Sequence, residues 1–213
     1  MTLADARSGA KKVKQIRQRI CDLGRDPAAV KILQGMPVLL AESRAEAEAR
    51  SELYVRMRSR EGLLTKWCGW TGIDLSGYPA DTPIDDIKTN GARTPLDFIR
   101  SSDPDRDWVV DDVRRVVTTQ FRPLRGGRWM LFGTAREVAD QMERWLTVSG
   151  VDGFNLIPCP PISGVRDICE LLVPELQRRG LFRTAYADDE PTLRERYFGA
   201  GAKVMARQPG PGR

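Results

Sequence analysis

The stretch Arg128–Pro158, RWMLFGTAREVADQMERWLTVSGVDGFNLIP, decides the fold of this chain. It opens with a short apolar run, Trp129–Phe132, and closes with a second one, Gly153–Pro158. The residues between them have the pattern of a helix, so the stretch is typical of a strand–helix–strand unit. Parallel strands need such a crossover because a tight turn cannot join them. The stretch therefore predicts an α/β protein with a parallel sheet.

The helix of this unit carries both a start and a stop signal. Thr134 and Glu137 stand three apart, which is the spacing of a capping box. Gly150 follows the last helical residues, at the position where helices commonly end with a residue in the left-handed conformation. Apolar residues at helical spacing would place one face on the sheet: Val138, Met142 and Trp145.

A third strand is predicted upstream, at Val30–Leu40, VKILQGMPVLL. Gly35 and Pro37 interrupt the run, and this favours a bend or an edge strand because proline cannot donate to a ladder. Ser43 and Glu46 then repeat the capping-box spacing and open a helix.

The remaining segments are less regular. Residues 67–104 carry Gly, Pro, Asn and Asp at short intervals and are expected to be a long irregular insertion. Residues 105–120 and 165–179 are expected to be helical, the second interrupted by Pro174 as a kink or a restart. Residues 200–213 are expected to be a disordered tail.

Three strands are too few for a closed barrel of parallel strands, which needs eight. The expected architecture is therefore an incomplete sheet with two open edges. The predicted strand regions are 30–40, 128–132 and 153–158.

The amino-acid composition limits the kinds of catalytic and metal site that this chain can form. The chain has 213 residues, a net charge of +5 and no histidine, so hydrolytic triads and histidine-ligated metals are excluded. Its cysteines, Cys21, Cys68, Cys159 and Cys169, show no metal-binding spacing. Cys159 follows a strand end, but nothing nearby supplies a base, so a bystander thiol is favoured over a reactive one.

Charge and hydropathy also bear on partners. The basic residues are spread along the chain and the aromatic residues lie mainly in apolar stripes, so we expect no nucleic-acid partner. No apolar run approaches the roughly 20 residues of a membrane span. The first residues lack the apolar core of a secretory signal, and a cytoplasmic location is expected.

The candidate pocket residues lie on the last predicted strand, where parallel sheets place their sites. They are Phe154, Asn155, Ile157 and Pro158. Alternate side chains point to opposite faces, so either Asn155 and Ile157 or Phe154, Leu156 and Pro158 face the interior. Asn155 is the polar side chain of the run, suited to a ligand or to neighbouring backbone.

The insertion adds aromatic and acidic candidates. Trp67, Trp70 and Tyr78 fit either core or lid packing or contact with a substrate. Asp74 and Asp81 are read as turn residues and given no catalytic role.

Several segments resemble one known family. GTAREVADQMERWLTVSGVDGFNLIP is similar to the final strand–helix–strand of the bacterial luciferase-like, flavin-dependent monooxygenases, in the nitrilotriacetate and dibenzothiophene-sulfone monooxygenase branch. LLVPELQRRGLFRTAY and TLRERYFG resemble that branch's C-terminal signature. GRDPAAVKILQGMPVLLAESRAEAEAR resembles the segment around its sixth strand, and TGIDLSGYPADTPIDD with TNGARTPLDF its long insertion. The similarity covers roughly residues 10–199.

The resemblance implies a fold and an activity. Family members are (β/α)₈ TIM barrels of about twice this length, so residues 1–199 would be a partial domain, the C-terminal half of the barrel. The implied activity is that of a two-component monooxygenase. It would oxidise a small organic substrate with O₂ through a flavin peroxide on reduced FMN, supplied by a separate flavin reductase.

The resemblance assigns no site residue. The family's flavin-phosphate residues lie mainly in the N-terminal half and match no position here, so no catalytic, cofactor-binding or metal residue is carried over. On this interpretation the chain is a fragment that needs an N-terminal half-barrel. The alternative is a non-catalytic remnant or an oligomerising half-barrel module that self-associates.

Overall fold

The computed structural model describes residues 6–91, 93–101, 103–119, 130–186, 188–189, 192–199 and 201–202. Arg128, Trp129 and most of the predicted tail 200–213 lie outside these residues. In the described chain the elements are α1 Ala6–Asp22, β1 Leu33–Leu40, α2 Arg44–Arg56, α3 Arg60–Thr71, α4 Thr94–Ser101, α5 Val110–Thr119, β2 Leu131–Gly133, α6 Ala135–Ser149, β3 Gly153–Pro158, α7 Pro161–Asp167, α8 Val173–Arg178 and α9 Leu193–Phe198.

The chain divides into two compact units. One comprises Met1–Ala47 with Arg125–Arg213, and the other comprises Glu48–Leu124. The first unit holds the sheet, and the second corresponds to the long excursion between β1 and β2.

The sheet has three parallel strands in the order β2-β1-β3. β1 pairs with β3 from Leu33 opposite Gly153 to Val38 opposite Pro158, whereas β2 meets only the last three residues of β1. The parallel α/β sheet, a strand in each of the three predicted regions and the unclosed barrel are confirmed, with residues 128 and 129 of the second region lying outside the described residues. Of the two expectations for the first strand, a bend or an edge position, the edge position is wrong, because β1 is the central strand of the described sheet.

Pro37 fits inside this central strand because of where its nitrogen points. The N–H of Cys159 donates to the carbonyl of Val38 at 2.9 Å, so Val38 faces β3. Alternation along the strand turns Pro37 towards β2. Within the described residues, pairing with β2 begins at Val38, so the missing N–H of Pro37 leaves no bond to the described strand β2 unmade.

Helix α6 covers one face of the sheet, as its pattern predicted. Thr134 and Glu137 form the capping box, and Gly150 ends the helix with φ 70°. Apolar side chains of α6, of the strands and of the C-terminal helices form one core: Met36, Val38, Leu40, Leu131, Val138, Met142, Trp145, Leu172 and Leu176.

The helix predicted near Pro174 continues through a π-helical turn. α7 and α8 are joined by this turn at Ile168–Leu172, and the N–H of Val173 donates to the carbonyl of Ile168. Proline has no N–H, and its ring clashes with the carbonyl four residues before it in a regular helix. The widened turn accommodates Pro174 at the start of α8 without breaking the helix.

A side chain closes the outer edge of β2. Gln141 of α6 donates through Nε2 to the carbonyl of Phe132 at 2.8 Å, and its Oε1 accepts from the Phe132 N–H at 3.3 Å. Its amide therefore takes the place of a neighbouring strand. Of the two open edges expected, this one is satisfied at Phe132.

Arg179, the residue that follows α8, joins that helix to α6. Its guanidinium, only 12% exposed, donates to Asp140 at 2.6 Å, Glu143 at 2.8 Å and Glu175 at 2.6 Å. Hydrogen bonds from Arg178 and then from Arg179 lower the pKa of Glu175 to about 2. Glu175 thus stays ionised throughout the neutral and mildly acidic range.

The second unit has its own hydrophobic core, which includes Trp67, Leu75, Leu96 and Trp108. Arg114 of α5 fixes the preceding loop by donating to the carbonyls of Leu75 and Tyr78. The stretch 67–104, expected to be irregular, is helical at the end of α3 and through α4. Its role as an insertion remains a prediction.

Gly133→Ala should strongly destabilise the first unit. Gly133 has φ 129°, and an added Cβ would lie 2.3 Å from Oε2 of Glu137, so the capping box would have to move. We expect a loss of about 2 kcal/mol or more in urea unfolding. Gly180→Ala is the matched control: its φ is also positive, but the space around it is open. Equal losses in both variants would contradict this role of Glu137.

Arg179→Gln should lower the melting temperature at pH 7 and flatten its decline in acid. The folded pKa of Glu175, about 2, lies below its ordinary 4.5, so its contribution is complete above pH 4.5 and is lost as the pH falls towards 2. Thermal unfolding from pH 7 to pH 2 measures both effects.

Arg178→Gln is the control for this prediction. It removes the two hydrogen bonds from Arg178 to Glu175 but breaks no described link to α6, and the Arg178 side chain is 68% exposed. It should therefore flatten the acid decline, with a smaller loss at pH 7 than Arg179→Gln because the links to Asp140 and Glu143 remain. Identical losses at pH 7 for both variants would show that Arg179 does not join the helices.

Candidate functional site

The carboxyl ends of the three strands are the candidate site, since parallel α/β folds place ligands there. A cleft of about 490 Å³ opens beside the ends of β1 and β2. Its lining combines small or apolar residues with charged ones: Ala41, Glu42, Thr134, Ala135, Arg136, Glu170, Leu171, Pro174, Glu175 and Arg178. The cleft therefore lies where α6 begins, against the π-helical turn.

The start of α6 is already occupied by a carboxylate. Oε2 of Glu137 accepts from the backbone N–H of Thr134 at 2.8 Å and from its hydroxyl at 3.1 Å. The backbone N–H of Thr134 is the main cause that lowers the pKa of Glu137, with its hydroxyl and Arg44 adding to the effect. Glu137 is therefore anionic at neutral pH.

Arg44 completes this corner of the site. Its guanidinium lies 3.3 Å from Oε1 of Glu137 and 4.8 Å from the centre of the Phe132 ring. Phe132 is itself buried, and its neighbour Leu131 belongs to the core on the helix side, so Phe132 points to the opposite face of the sheet. A cation thus covers that face at the carboxyl end of β2.

The hydrogen bonds at the starts of α2 and α6 decide whether a phosphate group could bind there. Helix N-termini bind phosphate through free N–H groups and the helix dipole. Glu137 supplies negative charge at the start of α6, and the N–H of Glu46 at the start of α2 already donates to Ser43 Oγ at 3.1 Å. The starts of α2 and α6, the helices that follow β1 and β2, therefore do not fit the phosphate of FMN.

The structure separates the candidate residues of β3. Phe154 and Leu156 pack against the core on the helix side. Asn155 is exposed and Ile157 is 50% exposed, and both lie on the opposite face of the sheet. None of these residues lines the cleft, and neither does Pro158. Their role in a pocket remains a prediction.

The aromatic candidates of the second unit have different positions. Trp67 is buried in that unit's core, and Tyr78 packs against it. Trp70 is 69% exposed, so among the three it is the one with a ring available to a ligand. Asp74 caps a short turn by accepting from the N–H of Ser76 at 2.9 Å, in agreement with its expected structural role.

Two features were not predicted. The charged lining residues Glu42, Arg136 and Glu170 come from three separate segments, so no local spacing marks them. Gln141 closes the β2 edge across nine residues, and its signal in the sequence is only a polar position on a helix.

In the described part of the chain, no three acidic or cysteine side chains are grouped to hold a metal ion. The described helices include none long and apolar enough to span a bilayer.

Comparison with known proteins identifies relatives of this chain. No family model matches it. It is 33% identical over 181 residues to dimethyl-sulfide monooxygenase of Hyphomicrobium sulfonivorans, covering 82% of this chain and 37% of that protein. It is 30% identical to nitrilotriacetate monooxygenase component A of Aminobacter aminovorans. That alignment covers 98% of this chain and 44% of that protein.

Solved structures agree with the sequence relatives. A crystal structure of riboflavin lyase with modified FMN and riboflavin superposes with a TM-score of 0.77 at 26% identity, covering 94% of this chain and 42% of that one. The chain spans about two fifths of the length of the relatives it matches. It belongs to the luciferase-like monooxygenase family, and its open parallel sheet with its helices matches the C-terminal part of that family's TIM barrel.

Proposed function

We propose that this chain forms the C-terminal part of an FMN-dependent, two-component monooxygenase that oxidises a small organic substrate with O₂. Family membership is the observation that carries the proposal. The protein's share in such chemistry is to bind, to orient and to exclude water, and reduced flavin would supply the electrons that activate O₂.

On the sheet face opposite α6, the exposed part at β3 is the part of this chain best placed to contribute. Asn155 offers an exposed amide, and Ile157 adds an apolar surface two residues further along the same face. Parallel sheets are normally covered on both faces, so this face requires a partner layer. We propose that it forms one wall of the substrate and flavin pocket.

The phosphate of FMN would be held elsewhere. The starts of α2 and α6 are capped by Ser43 and by the ionised Glu137, so neither presents a free anion site. The proposal therefore requires an N-terminal half-barrel to complete the pocket. A flavin reductase is the further proposed partner, and a cytoplasmic location is proposed with it.

A non-catalytic role is the alternative. The anionic cap at α6 and the half-exposed Ile157 also suit a remnant, or a half-barrel module that self-associates, without flavin chemistry. The two roles differ in whether flavin binds once the barrel is complete.

Flavin binding separates these roles. The 213-residue chain alone should leave the fluorescence of FMN unchanged. Co-expressed with the N-terminal three fifths of the nitrilotriacetate monooxygenase relative, it should form a complex that quenches FMN saturably. In that complex Asn155→Ala should weaken binding of the substrate or the flavin more than the control Gln18→Ala, which lies on α1.

Two outcomes would contradict the proposal. Saturable binding of FMN by the monodisperse chain alone would refute the need for an N-terminal half. A stable complex that never binds flavin would favour the non-catalytic role.

A further inference from the structure

Helix α1 carries a basic face that the first unit does not neutralise. Its buried side, at Gly9 and Val13, lies against the rest of that unit, and Arg17 pairs with Asp152 at 2.8 Å. The basic face consists of exposed cations on the same helix: Lys11, Lys12, Lys14 and Arg19. No acidic side chain in the described part of the chain forms an ion pair with these four residues.

These cations do not stabilise the helix that carries them. The amino end of a helix is the positive end of its dipole, and the first turn of α1 contains no acidic residue. Lys11 and Lys14 are three residues apart, so their like charges are neighbours on the helix surface and repel each other. The carboxylate of α1, at its last residue Asp22, accepts from Nε2 of Gln18 at 2.9 Å. A negatively charged surface against α1 would offset this repulsion.

The second unit carries an acidic surface. It consists of exposed aspartates that pair with no cation among the described residues: Asp81, Asp86, Asp103, Asp105, Asp107 and Asp111. Apart from Lys88, the cations of this stretch are already bound to other aspartates. Arg93 and Arg100 pair with Asp85, and Arg106 pairs with Asp112.

Backbone hydrogen bonds hold the two segments of the acidic surface side by side. The N–H of Val110 donates to the carbonyl of Thr82 at 2.9 Å, and the N–H of Asp111 donates to the carbonyl of Ala80 at 2.9 Å. These bonds align residues 80–84 with residues 108–111. Nε1 of Trp108 also donates to the carbonyl of Asp103 at 2.9 Å, which anchors the loop that carries the central aspartates.

We propose that the basic face of α1 in one copy of this chain binds the acidic surface of the second unit in another copy. Complementary charge is the observation that carries the proposal, because a positive surface meets a negative one across specific interfaces. Each copy supplies both halves of the contact, so two such contacts related by a twofold axis close a dimer. The contact uses helix and loop residues and leaves the strands free for an N-terminal half-barrel.

Other polyanions fit α1 less well. Proteins that bind single-stranded nucleic acid interleave aromatic residues with their cations, and α1 contains none. A helix that binds a lipid surface inserts its apolar side, whereas Val13 of α1 is buried with Ile32 and Val151. An acidic protein surface is therefore favoured, and this chain itself carries one.

The contact rests on neither flavin binding nor catalysis. Failure of the flavin titration would leave it standing, and failure of the contact would leave the proposed monooxygenase role untouched.

Sedimentation velocity at pH 7 tests the contact through a charge swap. The native chain of 23.9 kDa should associate as its concentration rises, and raising NaCl from about 0.05 M to about 0.5 M should reverse this association because salt screens exposed charges. Lys11→Glu with Lys14→Glu, or Asp105→Lys with Asp107→Lys, should each weaken association about tenfold or more. An equal mixture of the two variants should associate again, since the acidic surface of one now meets basic surfaces on the other.

Arg56→Glu with Lys66→Glu is the matched control. It changes the net charge as much as the α1 variant does, at exposed side chains outside both surfaces, and should associate like the native chain. Circular dichroism should show every variant folded, because only exposed side chains are altered. Folded variants whose mixture stays monomeric would overturn the proposal. A native chain that stays monomeric at low salt would also overturn it, and so would association that salt leaves unchanged.

Discussion

The ladder between β1 and β3 is the interaction on which the rest of the first unit depends. It joins segments about 120 residues apart in sequence, from Leu33 opposite Gly153 to Val38 opposite Pro158. Both prolines of the pair turn their nitrogens away from this ladder, so every bond between the two strands can form. Together with the pairing of β2 to β1, this ladder places the strands before and after α6 in one sheet, so α6 lies over the strands.

Local patterns predicted the elements of the unit well. Thr134, Glu137 and Gly150 act within one helix, so their spacing was enough to predict both ends of α6. The position of β1 was missed because it depends on which neighbour each residue of the strand faces. Pro37 interrupts an apolar run in the sequence, yet in the sheet it meets a stretch where β2 has not begun.

The candidate site was harder to predict, because it also depends on which elements lie next to each other. The last strand pointed to the carboxyl end of the sheet, but its pattern did not show which of Asn155 and Phe154 faces the helices. The cleft joins residues after β1, at the start of α6 and on the π-helical turn, and no single segment carries its pattern. The negative charge of Glu137 at a helix start is visible in the sequence as a cap, and its consequence for phosphate becomes clear only from the geometry.

The length of the excursion between β1 and β2 has a consequence for folding kinetics. Closing a long loop before any distant contact forms costs entropy, and folding slows as contacting residues lie further apart along the chain. The second unit has its own core of local contacts, including Trp67, Leu96 and Trp108, and can condense before the sheet. Its collapse shortens the effective path from β1 to β3, so packing within the second unit affects how fast the strands meet.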